Sequence, residues 1–193
     1  MEVGPGDCAL SFEAARFARQ VYAIDVCDEI SKADSTPENF SLILSDGCSV
    51  PVPPNSVDVA YSNQLMEHLH PDDALAQLQA IFGALAPGGC YICITPNKLT
   101  GPHDISTYFD DVATGFHLRE YTITELTALL KTVGFSKVRL YIGARGFYWR
   151  FPAGALTLCE HMLTALPAKV RRPVAHSLPF RMLFVGVRLV GIR

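Results

Sequence analysis

Apolar residues recur along this chain at helical spacing in three places, and each place predicts an amphipathic helix. The first predicted helix covers Leu10–Arg19, and the second covers Asp72–Ala86, which begins with two aspartates that suit the positive end of a helix dipole. Thr122 and Glu125 form a capping box that predicts the start of a third helix, and Gly134 predicts its end.

Short apolar runs between these helices predict strands. The predicted strands are Val21–Val26, Phe40–Leu44, Val57–Tyr61, Cys90–Thr95, Lys137–Ile142 and Met182–Val190. Strands and helices alternate along the chain, an order that is typical of a parallel α/β sheet with right-handed connections. Met1 and Val3 are the only apolar residues ahead of Gly4, so we predict a first strand that is almost absent.

Three longer segments have patterns of their own. Asp28–Ala33 predicts a short helix, and residues 96–121 predict a long irregular stretch, which in a compact domain is usually functional. Residues 151–179 combine a predicted apolar helix, Ala153–Leu166, with a predicted basic loop, Pro167–Pro179. We expect 151–179 to be an insertion between the last two strands, where variation leaves the sheet undisturbed.

The composition indicates one globular domain over residues 1–193. Apolar residues make up 49% of the chain and charged residues 18%, which excludes a disordered protein. The net charge of −3 gives no indication of nucleic-acid binding, although basic residues are concentrated in residues 151–193. Because no apolar run reaches the ~18 residues that a membrane span needs, we expect no transmembrane segment.

The six cysteines predict free thiols rather than disulfides or a metal site. Cys90 and Cys93 lie three residues apart in a predicted strand, where side chains alternate, so the two thiols point to opposite faces and cannot pair. The other cysteines are scattered singly, and no signal peptide precedes them. We therefore expect a reduced, cytoplasmic protein.

A glycine-rich turn near the start of the chain is the main indication of a ligand. Gly4 and Gly6 allow backbone angles and close approaches that a side chain would forbid, just ahead of a predicted helix. Asp25 follows about 20 residues later at the end of a predicted strand, where a carboxylate can bind two ribose hydroxyls. This arrangement predicts a site for a nucleotide-like ligand.

Two classes of enzyme are compatible with that turn. Gly4-x-Gly6-x-x-Ala9 satisfies the fingerprint of dinucleotide-binding proteins, with Asp25 on the ribose, and so allows a nicotinamide-dependent oxidoreductase. The chain contains no Tyr-x-x-x-Lys pair that could donate a proton near a carbonyl in such an enzyme.

Further motifs indicate the second class through their order along the chain. They are Glu2-Val-Gly-Pro-Gly6, Asp25, Ser45-Asp46-Gly47, Val57–Asn63 followed by Met66-Glu67-His68-Leu69, Leu85-Ala-Pro-Gly-Gly89, and His117-Leu-Arg-Glu-Tyr-Thr122 followed by Val133-Gly-Phe135. Over about residues 2–142 this series resembles the class I S-adenosylmethionine-dependent methyltransferases. The chain departs from that pattern at its start, where residues that would complete the first strand are missing.

The resemblance implies a fold, an activity and a cofactor. The fold is α/β and Rossmann-like, doubly wound, with a mostly parallel seven-stranded sheet, an antiparallel last strand and a truncated first strand. The activity is methyl transfer from S-adenosylmethionine. The cofactor-binding residues that the resemblance implies are Glu2, Gly4, Gly6, Asp25, Val26, Asp46, Gly47 and Asn63. Asp25 would hold the ribose hydroxyls, Asp46 the adenine amino group and Asn63 the methionine portion.

A general base is needed only if the acceptor must lose a proton, as a hydroxyl does. His68 and His103 follow the strand ends that face the ligand in this topology, so each is a candidate catalytic residue. His68 and His70 also lie close to Asp72 and Asp73 in the sequence. Because those aspartates suit a helix start, we expect no metal site there.

The expected acceptor is a small molecule with an apolar body or an anionic group, because residues 151–179 are apolar and basic. We expect that segment, together with residues 96–121, to cover the acceptor pocket. Phe147, Tyr148 and Trp149, together with Phe151, either line the pocket or belong to the core. The alternatives to a methyltransferase are an NAD(P)-dependent oxidoreductase and a non-catalytic, methyltransferase-like binding domain.

Overall fold

Strands and helices alternate in the computed structural model, which describes residues 1–28, 36–144, 146–184 and 186–193. The strands are β1 (Glu2–Val3), β2 (Val21–Asp25), β3 (Phe40–Leu44), β4 (Val57–Asn63), β5 (Leu85–Pro96), β6 (Lys137–Ala144), β7 (Phe147–Phe151) and β8 (Gly186–Ile192). The helices are α1 (Ala9–Ala15), α2 (Pro71–Ala84), α3 (Ile123–Val133), α4 (Ala153–Thr164), α5 (Ala168–His176) and α6 (Leu178–Phe184). Short 3-10 turns cover Met66–His68 and Ile105–Tyr108.

These strands form one sheet in the order β3-β2-β1-β4-β5-β8-β6-β7. Neighbouring strands from β3 to β5 pair in parallel, whereas β8 runs antiparallel to both β5 and β6. This arrangement confirms the predicted Rossmann-like, mostly parallel α/β fold with an antiparallel last strand. The described sheet has eight strands rather than the predicted seven, because Phe147–Phe151 turns back on β6 as an antiparallel hairpin.

The first strand is as short as the sequence predicts, yet it lies in the middle of the sheet. Its two residues pair with β2 on one side, where Glu2 lies opposite Ala23, and with β4 on the other, where Glu2 lies opposite Tyr61. The amino group of Met1 donates a hydrogen bond of 2.8 Å to the carbonyl of Val59. This contact extends the pairing by one residue at the start of β1.

The main core lies between the sheet and the helices α2 and α3. Leu78 and Ile81 of α2 and Leu126 and Leu130 of α3 are fully buried, and Tyr91 of β5 is buried against them. Removing each such side chain from water stabilises the fold by about 1.5–3 kcal/mol. This packing fixes the helices that follow β4 and β5, and therefore the loops at the ends of those strands.

The opposite face of the sheet is covered less completely. Helix α1 packs on β2 and β3, where the rings of Phe12 and Phe40 lie 4.8 Å apart. Beside α1, a groove of about 660 Å³ exposes apolar side chains that include Phe17, Val59 and Ile92.

Several predicted elements differ from the structure in type or extent, among them the predicted helix Leu10–Arg19, which is the shorter helix α1. The predicted loop Pro167–Pro179 is largely the helix α5, because Pro167 stands just before the helix, where a missing N–H costs nothing, and accepts bonds from Val170 and Arg171. The predicted strand Met182–Val190 is divided between α6 and β8. The predicted helix Asp72–Ala86 ends at Ala84, and strand β5 begins at the next residue.

The predicted start of the third helix is confirmed. The capping box of α3 is complete, since Glu125 N donates to Thr122 Oγ1 at 3.1 Å and Thr122 N donates to Glu125 Oε2 at 2.9 Å. Of the predicted helix Asp28–Ala33, all but its first residue lies outside the described residues. No helix in the described part of the chain is long and apolar enough to span a membrane.

Candidate functional site

The residues predicted to bind a nucleotide-like ligand gather along one edge of the sheet, here called the carboxyl edge. It is formed by the residues that end or follow β1 to β5, because the carboxyl ends of parallel strands meet at the same edge. Asp25 and Asn63 are the last residues of β2 and β4, and Asp46 follows β3. The structure therefore brings together residues that are far apart in the sequence.

The glycine turn after β1 leaves open space at the carboxyl edge. Gly4 has a φ of +70°, and its N–H donates to the Ile24 carbonyl at 2.9 Å, so the turn is bound to β2. Gly6 has a φ of +57°, and apart from Gly6 and its two chain neighbours no described atom lies within 4 Å of the position that a Cβ would take there. The backbone is therefore uncovered on that side of Gly6, and its role in ligand binding stays a prediction.

Glu2 lies beneath this turn rather than in the open space. Its side chain is buried, and Ser11 Oγ donates a hydrogen bond of 2.5 Å to Glu2 Oε2. Burial raises the pKa of Glu2 above its usual value, and the bond from Ser11 offsets part of that increase. Glu2 therefore joins β1 to α1.

Asp25 is partly engaged by its own loop. Its Oδ1 accepts hydrogen bonds from the N–H groups of Val26 at 2.7 Å and Cys27 at 3.2 Å. Val26 itself is exposed, as is Leu44 at the end of the neighbouring strand. The carboxyl edge thus offers a carboxylate beside two exposed apolar side chains, a combination that suits a ribose next to a flat base.

The loop after β3 is fixed by Asp46 and by a contact with α2. Asp46 Oδ1 accepts hydrogen bonds from Ser49 N at 2.7 Å, Ser49 Oγ at 2.8 Å and Cys48 N at 3.0 Å. These bonds, led by that from the Ser49 backbone, lower the pKa of Asp46 to about 2. Gln77 Nε2 donates to the Gly47 carbonyl at 2.6 Å. Asp46 is therefore the cap of its own turn, whatever else it binds.

A second group of polar residues follows β4 and β5, and its centre is Glu67. The Glu67 side chain is fully buried, and its Oε2 accepts a hydrogen bond of 2.9 Å from Thr95 Oγ1. Its Oε1 has no hydrogen-bond partner among the described residues. Burial raises the pKa of Glu67. The backbone carbonyl of Glu67 accepts from Leu118 N at 2.8 Å, which brings the 117–120 segment beside the turn after β4.

The two candidate histidines have different surroundings. His68 is exposed, its Nδ1 lies 3.1 Å from the Phe116 carbonyl, and its ring packs edge-on against His117 with centroids 5.0 Å apart. His103 is bonded at both ring nitrogens, Nδ1 to Glu120 Oε2 at 3.3 Å and Nε2 to Thr100 Oγ1 at 3.1 Å. The structure therefore separates these two histidines into distinct contacts.

His117 and Glu120 connect the two candidates, and sequence reasoning assigned neither of them a role. Glu120 Oε1 lies 2.8 Å from His117 Nδ1 and accepts from the His103 N–H at 2.7 Å. Burial alone would raise the pKa of Glu120, but the bonds from His103 and His117 outweigh burial, so the net shift is downward. The signal was present in the motif His117-Leu-Arg-Glu120, where the spacing of three residues lets both side chains meet.

His70 is not part of this group. It precedes α2, where its Nδ1 accepts from Asp72 N at 3.4 Å, so His70 caps that helix, a role that the sequence analysis gave to the aspartates instead. The adjacent Asp72 and Asp73 lie in the first turn of α2.

A cavity of about 290 Å³ lies where residues 151–179 pack on the start of α3. Lys98, which follows β5, lines it together with His161 of α4 and Arg171 of α5. Buried Glu160 of α4 also lines it and accepts hydrogen bonds from Ile123 N at 2.7 Å and Thr124 N at 2.8 Å. Residues 151–179 thus help to enclose a cavity beside the end of β5.

Comparison with known proteins begins with a family model described as "Methyltransferase domain", which matches residues 1–93. A protein of Mycolicibacterium smegmatis named "Probable S-adenosylmethionine-dependent methyltransferase" is 34% identical over 137 residues, which are 70% of this chain and 51% of that protein. The chain spans about half the length of the curated relatives it matches.

Solved structures of low sequence identity share the fold. An S-adenosylmethionine-dependent methyltransferase from Mesorhizobium loti superposes with a TM-score of 0.63 at 15% identity, over 100% of this chain and 89% of that one. Human N-acetylserotonin methyltransferase, solved in complex with S-adenosylmethionine, has a TM-score of 0.61 at 15% identity, over 100% of this chain and 46% of that one. Both similarities extend over the full length of this chain.

Proposed function

The chain belongs to the class I S-adenosylmethionine-dependent methyltransferases, and from this premise we propose that it transfers a methyl group from S-adenosylmethionine to a small-molecule acceptor. The observation that carries this proposal is the open space at Gly6, which lies at the same edge of the sheet as Asp25. Apart from the two chain neighbours of Gly6, no described atom lies within 4 Å of the position that a Cβ would take there. An acidic residue and an open glycine turn on adjacent strands fit the two ends of a nucleoside that carries an amino acid.

The residues at the carboxyl edge fit this cofactor by their chemistry. Gly4 and Gly6 let its amino-acid end approach the backbone, with Glu2 acting on that end indirectly through the turn. Asp25 keeps Oδ2 for the ribose hydroxyls while Oδ1 holds its own loop. The remaining residues of the proposed cofactor site are Val26, Asp46, Gly47 and Asn63.

S-adenosylmethionine supplies an electrophilic methyl group on its sulfonium, so the protein mainly aligns the two reactants and excludes water. The exposed apolar surface of Val26 and Leu44 would shield one side of the adenine from water, and the hydrogen bonds of Asp46 would limit movement of its loop there. Alignment at the reacting end falls to Asn63 and to the turn that follows β4.

His68 is the residue that we propose as the general base for a hydroxyl acceptor. Since a backbone carbonyl can only accept a hydrogen bond, His68 Nδ1 carries the proton that faces Phe116, and neutral Nε2 keeps its lone pair. His103 is less suited, because both of its ring nitrogens already have protein partners. We therefore keep His68 as the catalytic residue and give His103 a positioning role through Glu120.

The proposed acceptor pocket includes the 290 Å³ cavity under residues 151–179. Its cationic groups are Lys98, which pairs with Glu125 at 3.3 Å, and Arg171. An anionic group on the acceptor would be attracted by Arg171, and Leu99 offers apolar contact. A cytoplasmic location stays a prediction.

The test of this proposal is transfer of a labelled methyl group from S-adenosylmethionine to a panel of hydroxylated small molecules, with a chelator present. We expect His68→Asn to lower kcat by about 100-fold or more without changing the affinity for S-adenosylhomocysteine, since a positioned base contributes about 10²–10⁴-fold. The matched control is His70→Asn, an imidazole two residues away that caps α2. An unchanged kcat in His68→Asn would show that His68 is not the general base.

The acceptor pocket has its own test within the same assay. We expect Arg171→Ala to raise KM for acceptors that carry a carboxylate or phosphate and to leave uncharged acceptors unaffected. Arg16→Ala, which removes an exposed arginine that follows α1 and does not line the cavity, is the control. Equal effects of Arg171→Ala on charged and uncharged acceptors would exclude recognition of an anionic group.

A further inference from the structure

We propose that Glu67, His68 and His117 form a binding site for a divalent transition-metal ion, of which zinc is the best fit. One ligand atom from each of the three side chains lies within 4.8 Å of the others. Two imidazoles and one carboxylate are a donor set that zinc prefers, and the set leaves a fourth position open. The sequence analysis weighed a metal site formed by His68 and His70 and expected none. In the structure it is His117, not His70, whose ring packs against His68.

Both imidazoles are held in a tautomer that leaves Nε2 free for a metal ion. The Phe116 carbonyl faces Nδ1 of His68 at 3.1 Å, and the Glu120 carboxylate faces Nδ1 of His117 at 2.8 Å. Each of these oxygens accepts a proton from Nδ1, so the Nε2 lone pair of each neutral ring is available. A metal-bound histidine commonly donates its other N–H to a carbonyl or a carboxylate in this manner.

Glu67 supplies the second, independent indication of a ligand. Its side chain is fully buried, and Oε1 has no hydrogen-bond partner among the described residues. A buried carboxylate oxygen without a partner is costly, and a cation beside it removes that cost. The bond from Thr95 Oγ1 to Oε2 fixes the carboxylate plane, so the orientation of Oε1 does not depend on a metal ion.

The surrounding residues add to the negative charge that a cation would balance. Glu120 is buried beside His117, and bonds from His103 to both of its oxygens help to keep it ionised.

Ligand atoms around a four-coordinate zinc lie only about 3.3 Å apart, given Zn–N distances of about 2.0 Å. His68 is the exposed member of the group, so its side chain has room to close this difference.

This site has a consequence for methyl transfer to acceptors that must lose a proton. An ion on Nε2 of His68 occupies the lone pair that would otherwise take a proton from a hydroxyl. Zinc binding and the base role therefore exclude each other, and we expect zinc to inhibit methyl transfer to hydroxyl acceptors. Zinc binding can be measured without an assay of methyl transfer. The metal site is therefore tested independently of the proposed function.

The test is calorimetric titration of the untagged, chelator-treated full chain with zinc chloride. We expect one ion per chain in the wild type and at least tenfold weaker binding in Glu67→Gln, His68→Asn and His117→Asn. Glu120→Gln changes only the orienting carboxylate, and such changes typically weaken metal binding about 10–100-fold. His70→Asn removes a nearby histidine outside the cluster, and its affinity for zinc should equal that of the wild type.

Two results would overturn the metal site. One is a wild type that shows no saturable zinc binding, and the other is an affinity that is unchanged in both His68→Asn and His117→Asn. His68 is exposed, so its variant should fold even if Glu67→Gln does not, and circular dichroism checks each sample. Titrating the same samples with S-adenosylhomocysteine separates failure of the metal site from failure of the cofactor site.

Discussion

Carboxylates near the carboxyl edge differ in how far the protein already satisfies them. Asp46 has one oxygen that accepts hydrogen bonds from Ser49 and Cys48, and Asp25 has one oxygen that holds two backbone N–H groups. Glu67 has one oxygen on Thr95 and another with no described partner. The number of hydrogen bonds that each carboxylate accepts from the protein therefore differs. We expect mutation of each residue to have a different effect for that reason.

Asp46 carries a prediction about pH. Its pKa is about 2 in the folded protein against an ordinary value of 3.8, so its bonds stabilise the fold fully above about pH 4. That contribution is lost as the pH falls from about 4 towards 2, because protonation removes the acceptor charge. We expect the difference in unfolding free energy between wild type and Asp46→Asn to be constant near neutral pH and to shrink below pH 4.

Urea unfolding at a series of pH values measures this difference, and Asp58→Asn on β4 is a control that removes an exposed aspartate outside the loop. A gap between wild type and Asp46→Asn that stays constant down to pH 2 would contradict the assigned hydrogen bonds.

The positions of the motif residues in the fold could be predicted from the sequence, but some of their side-chain contacts could not. The positions of Asp25, Asp46 and Asn63 at strand ends follow from the alternation of strands and helices alone. The pairing of His68 with His117 depends on how the 97–121 stretch folds back, and no periodicity describes that stretch. The roles of these residues stay predictions until they are tested.

Contacts between elements far apart in the sequence determine the region around α3. Glu160 of α4 accepts bonds from the N–H groups of Ile123 and Thr124, which begin α3, and also from the Thr124 hydroxyl. The capping box, formed by Thr122 and Glu125, was predictable because its members lie three residues apart. The contact from Glu160 was not, because it joins residues 36 or 37 apart through tertiary packing.

We expect Glu160→Gln to lower the free energy of unfolding by about 1.5–3 kcal/mol, the usual value of a hydrogen bond to a charged group. The amide keeps one acceptor but turns a donor towards N–H groups of α3 that also donate. Thermal and urea unfolding measure the effect, and His161→Ala on the exposed side of α4 is the control. Equal stability of Glu160→Gln and the wild type would show that Glu160 does not cap α3.

The aromatic residues of β7 illustrate what periodicity leaves open at the element scale. Phe147, Tyr148 and Trp149 were expected either in the core or in the acceptor pocket. They lie in the edge strand of the sheet and are exposed, so they do not belong to the core. Their sequence could not show this, because the apolar run is the same for a buried strand and for an exposed hairpin.

At the scale of the whole molecule, the cofactor site depends on a sheet whose central strand has two residues. The pairing of β1 with β2 and β4, rather than its length, holds the glycine turn beside Asp25. Cofactor binding should therefore stabilise the entire fold. At a concentration of S-adenosylhomocysteine 100 times its Kd, linkage predicts about 2.7 kcal/mol of added stability.

The most direct measurement is calorimetric titration of the chain with S-adenosylhomocysteine, with Asp25→Ala, Asp58→Ala and an NADH titration run beside it. We expect the wild type and Asp58→Ala to bind S-adenosylhomocysteine saturably. Asp25→Ala should bind it more than tenfold more weakly, because hydrogen bonds to a charged group are lost. NADH should show no binding. A folded chain that binds neither ligand would contradict the cofactor site and favour a non-catalytic binding domain, whereas binding of NADH alone would favour an oxidoreductase.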